Sequence, residues 1–78
     1  MRTGPELGVA AIGSWAAVGG FALAGVAVHV AETPDQVRAA WSALPATVGL
    51  VVLDVAAHHV LAAEQREPRA PLTVVTPE

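Results

Sequence analysis

Six consecutive positions without a polar side chain, Val48-Gly49-Leu50-Val51-Val52-Leu53, leave few options for what surrounds them. A strand turns successive side chains to opposite faces, so such a run must be covered on both sides. Three further apolar runs stand at Leu7 to Ile12, Val26 to Val30 and Leu72 to Thr76, with a helix-length segment between successive runs. Strands that alternate with helices predict a parallel sheet with right-handed crossovers. The expected architecture is α/β: a small open parallel sheet of four strands, in order 2-1-3-4, flanked by helices on both faces.

Local signals set the boundaries. Ser14 can cap a helix from Trp15 to Ala24, although Gly19-Gly20 interrupt it at about 1 kcal/mol each against Ala. Such glycines suit a close neighbouring backbone or a bend, and Gly25 is placed to end the helix. Thr33-Pro34-Asp35-Gln36 is the clearest start. Thr33 caps, Pro34 takes the first turn, Asp35 faces the helix dipole, and Gln36 can close a box onto Thr33. Val37, Ala40, Trp41 and Leu44 share one face, Arg38 and Ser42 fall off it, and Pro45 stops the helix. Asp54 caps a third helix, expected from Val55 to Gln65 with Ala56, Val60 and Leu61 available for packing. Met1 to Glu6 reads as a loose lead, and Arg66 to Pro71 as a proline-broken loop.

At 78 residues the chain is expected to form one domain, 1–78, with a thin stability margin. It has no cysteine, which excludes disulfides and thiolate metal sites. Its basic residues, Arg2, Arg38, Arg66 and Arg69, are scattered under a net charge of −3, which argues against nucleic-acid binding. Leu7 to Ala31 carries no Asp, Glu, Lys or Arg, and a membrane span needs about 20 such residues. Its glycines nevertheless cut it into pieces of strand and short-helix length, which predicts no direct membrane insertion. With no secretory leader pattern at the start, a cytoplasmic location is expected.

Reaction chemistry finds little support. Gly13 to Gly20 sits where a phosphate loop would sit, but G-x-G-x-x-G is missing and the chain has no Lys for a P-loop. Val51-Val52-Leu53-Asp54-Val55 is similar to the phosphoacceptor strand of response-regulator receiver domains. That chemistry also needs an acidic pair to hold Mg²⁺, where Gly13-Ser14-Trp15 stands, together with a Lys and a fifth strand. His58 and His59 are adjacent and point about 100° apart on a helix, so they do not share a metal, and His29 lies on another element. One of the pair is expected half-buried and the other exposed. Ser14 lacks the Gly two residues before it that a nucleophile elbow requires. Glu32, Glu64 and Glu67 read as solvated charge. No catalytic, cofactor or metal residues are assigned. Trp41 reads as core; Trp15 either folds back onto the sheet or stays exposed as a partner anchor.

Gly13, the segment Gly20-Phe21-Ala22-Leu23-Ala24-Gly25, Val26 to Val30, Glu32-Thr33-Pro34, Val48 to Leu53 and Leu72 to Pro77 together form a pattern over nearly the whole chain. It resembles the small central-stalk F-subunits of the V-type and A-type rotary ATPases, a family with an open, flavodoxin- or Rossmann-like sheet. The GF-x-LAG segment is its most specific part. The resemblance implies a non-catalytic rotor component that docks on the coiled-coil axle subunit and helps couple nucleotide turnover to proton or sodium movement. It implies a location peripheral to the membrane through that complex, with no cofactor. The chain departs from the family at Ser14-Trp15-Ala16, where acidic residues are usual, and at Ala22, where a basic one is common. It ends at Glu78, where the family's C-terminal helix begins, so a short form is expected. The alternative is a stand-alone interaction or regulatory domain that pairs with itself through the Ala/Gly/Trp surface around Trp15. The candidate partner-contact residues are Trp15, Gly20 and Phe21.

Overall fold

A computed structural model describes residues 8–77. The expected lead Met1–Glu6, the expected first strand residue Leu7, and Glu78 lie outside the described residues.

The chain runs β1 (Gly8–Gly13), α1 (Trp15–Val18), a 3-10 segment (Gly19–Ala24), β2 (Ala27–Val30), α2 (Pro34–Ser42), β3 (Val48–Leu53), α3 (Val55–Val60), a short 3-10 turn (Glu64–Arg66) and β4 (Leu72–Val75). All four strands are parallel and lie in the order β2-β1-β3-β4, as the alternation predicts. Ala11 stands between Val28 and Val52, and Ile12 between His29 and Leu53. Backbone bonds carry the ladders past the strand ends, from Ala31 N to Gly13 O and from Thr76 N to Leu53 O, both 2.8 Å.

The chain steps one way from β1 to β2 and the other way from β2 through β3 to β4. Right-handed crossovers therefore put α1 on one face and α2 with α3 on the other. The core divides accordingly. On the α2/α3 face, Ile12, Val51 and Leu53 pack with Ala31, Val37, Ala57 and Leu61, with Trp41, Leu44 and Val60 at the margin. On the α1 face, Ala11 and Val52 meet Val18, with Phe21, Val26 and Val28 around them. One short helix and a 3-10 segment cover less sheet than two helices do. The row Val9–Leu50–Leu72 and Val74 lie on that thinner face, and Leu72 is 75% exposed.

The described part of the charge-free stretch is divided into β1, the short α1, a 3-10 segment and β2, and no helix among the described residues is long and apolar enough to cross a membrane. Four expectations about the helices need correction. The first helix is not continuous to Ala24. It gives way at Gly19, where the Trp15 ring lies so close that a Cβ would meet it at 2.8 Å. Gly25 does end the segment, at φ +80°, a conformation that favours glycine. Gln36 closes its box one residue earlier than expected. Its Oε1 accepts from the Glu32 N–H at 2.7 Å, while Thr33 Oγ1 accepts from the Gln36 N–H at 3.2 Å. The third helix stops at Val60 rather than Gln65, because the Gln65 side-chain amide donates to the His58 carbonyl at 3.0 Å. In a continued helix that carbonyl would accept from residue 62. Finally, Ala57 and not Ala56 is the buried alanine of α3.

Candidate functional site

In a doubly wound sheet, ligands meet the carboxyl ends of the strands where the strand order reverses. Here that place lies between the ends of β1 and β3, at Gly13-Ser14 and Asp54. A groove of about 390 Å³ opens there, lined by Ser14, Ala17, Asp54, Val55, Thr76 and Pro77 among others.

Most of the polar groups around it are engaged. Asp54 Oδ1 accepts from the Ala57 N–H at 2.8 Å, which is the helix cap read from the sequence. Its other oxygen, Oδ2, accepts from the Ser14 N–H at 2.8 Å, across 40 residues of chain. Ser14 Oγ accepts from the Ala17 N–H at 3.3 Å. Glu32, expected as solvated charge, reaches back so that its Oε2 accepts from the Trp15 N–H at 3.1 Å. The first two amides of the β1–α1 turn, where an anionic ligand would be held, are thus taken by the chain's own carboxylates. Asp54 also lies against Gly13, so that a Cβ there would meet its Cγ at 2.6 Å. This arrangement fastens three βα junctions together.

Of the two adjacent histidines, His58 is bonded within the fold. His58 is half-buried and His59 exposed, as expected, with ring centroids 5.7 Å apart and tilted. His58 Nδ1 stands 3.1 Å from Gln65 Oε1, and the Thr73 hydroxyl donates to the same oxygen at 3.0 Å. This polar clasp ties the end of α3 to β4. Among the described residues, no group of three His, Cys, Asp or Glu is placed to hold a metal ion.

The candidate contact residues separate into different environments. Trp15 does not fold back onto the sheet. It is 62% exposed, with its ring over Gly19. Gly20 is exposed, with open space where a side chain would project. Phe21 is half-buried and packs on the Ala11/Val18/Val52 cluster, so it holds the 3-10 segment down rather than facing outward. Leu23 stands outside the candidates that the sequence suggests, yet it is 95% exposed. The signal that could have found it is spacing. At three residues per turn, a side chain two positions past the inward Phe21 points away from the sheet.

No family model, curated protein or solved structure matches this chain.

Proposed function

We propose that this chain is a non-catalytic docking domain whose contact surface is the segment from Trp15 to Leu23. The observation that carries this reading is the exposure of two large apolar side chains, Trp15 and Leu23, on one short segment. Tryptophan is enriched among the residues that dominate binding energy at interfaces. The polar groups at the strand ends support the same reading, because they cap helices rather than stand ready for a reaction.

The finer proposal follows the resemblance of Gly20–Gly25. The partner is the coiled-coil axle subunit of a V/A-type rotary ATPase, and the role is that of a central-stalk component aiding coupling. Trp15 and Leu23 supply apolar anchors of the kind that pack against a helical partner, and tryptophan is enriched among the residues that dominate such contacts.

Co-purification with a recombinant axle-type coiled coil tests the finer proposal. Co-elution that Leu23→Asp abolishes is the expected result. No co-elution, together with a sedimentation mass of two or more chains for the protein alone, would replace the stalk reading with self-association through the same surface. Nucleotide hydrolysis above background in pure protein would refute the non-catalytic reading altogether.

A further inference from the structure

The strand-end groove is occupied chemically by Asp54 and its bonds. A smaller one beside Glu32 and Pro34 holds only about 80 Å³. A different groove lies at the opposite end of the sheet, between the end of α2 and the loop entering β4. It measures about 370 Å³, within the range of small-molecule sites, which begins near 300 Å³. Its walls include Trp41, Leu44, Pro45, Val48 and Pro71, and among the described residues the one charged side chain lining it is Arg69.

We propose that this groove binds a small carboxylic acid with an aromatic or branched apolar body. The acid's carboxylate lies on the Arg69 guanidinium and its body lies against Trp41. The sign of the ligand charge follows from the lining, which among the described residues carries a cation and no carboxylate. A guanidinium matches a carboxylate in two parallel hydrogen bonds, a geometry that a lone ammonium lacks. The apolar body follows from the walls. Trp41 and Leu44 pack against the core while also facing the groove. Pro45 and Pro71 have fixed backbone φ, so two of the wall positions have little backbone freedom to lose when a ligand arrives. The site is separate from the Trp15–Leu23 surface and does not depend on the docking role.

Phenylacetate is the probe, titrated into the full chain carrying Trp15→Phe so that Trp41 alone reports by fluorescence. A saturable change with a midpoint below about 1 mM is expected. Arg69→Gln, at an exposed position, should keep the circular dichroism unchanged and weaken binding roughly five- to tenfold or more. The neutral isostere phenylacetamide should be weakened similarly. Backbone NMR shifts in unsubstituted protein should gather at Leu44, Val48 and Arg69, with the Trp41 indole N–H. No saturation, equal binding by Arg69→Gln or by the amide, or shifts gathered at Ser14 and Asp54 would each overturn the proposal.

Discussion

Replacing Asp54 should test how the three junctions are held. In Asp54→Ala the Ala57 N–H loses its cap, a change that costs about 0.5–2 kcal/mol. The Ser14 N–H loses a carboxylate at 2.8 Å, and hydrogen bonds to charged groups contribute about 1.5–3 kcal/mol. Asp54 and Ser14 are half-buried, so water replaces part of what is lost, and a total of about 2–4 kcal/mol is expected. A domain of this length has a stability of roughly 4–12 kcal/mol, so the change is large. It corresponds to a fall in Tm of about 8 °C or more. Asp54→Asn is the sharper variant. Asn caps helices as well as Asp does, but it offers one acceptor oxygen where the structure uses two. Its amide would set a donor against the Ser14 N–H, so it should lose about half as much as Ala. Gly13→Ala probes the same contact from the other side. The added Cβ would strike Asp54 at 2.6 Å, and that side chain cannot swing away while both oxygens are bonded. The substitution should cost about 1–3 kcal/mol alone and clearly less in the Asp54→Ala background. The assay is urea unfolding followed by circular dichroism. Wild-type stability in Asp54→Asn, or strict additivity of Gly13→Ala with Asp54→Ala, would refute the two-oxygen bridge.

Trp15→Ala should weaken partner or self-association while leaving the far-ultraviolet circular dichroism intact, because the ring is mostly exposed. Loss of the folded signal would place Trp15 in the core instead. Leu53→Ala removes a fully buried side chain from the larger core and should cost about 2–5 kcal/mol, enough to leave a measurable unfolded fraction at 37 °C in denaturant-free buffer. Gly25→Ala forces a side chain into φ +80° and should lower stability by about 1 kcal/mol in the same urea titration, although the space around it is open. An unchanged midpoint would mean that the turn relaxes.

The resemblance and the fold bear on different questions. The fold supports a wound α/β sheet, which hosts many unrelated functions, so the docking proposal rests on exposed side chains and not on architecture. Phe21 illustrates the difference. It belongs to the motif that carries the resemblance, yet it packs inward, and its conservative replacement would be felt as stability before it was felt as binding.

What the chain determined on its own was local or followed from handedness. Thr33, Asp54 and Ser14 announced helix starts because a side-chain oxygen three residues ahead of an orphan N–H needs no distant partner. The strand order followed from four apolar runs and the one hand that βαβ crossovers take. Tertiary structure alone decided the contacts between distant segments. The second oxygen of Asp54 finds Ser14 only once β1 and β3 lie side by side, and Glu32 reaches Trp15 only once β2 lies next to β1. Gln65 ends α3 by taking a carbonyl seven residues back, which no helical periodicity signals. Burial was settled in the same way. Ala57 displaced Ala56 inward, and Leu72 stayed open, because coverage depends on which helix lies over which strand. A period measured along the chain carries no record of that.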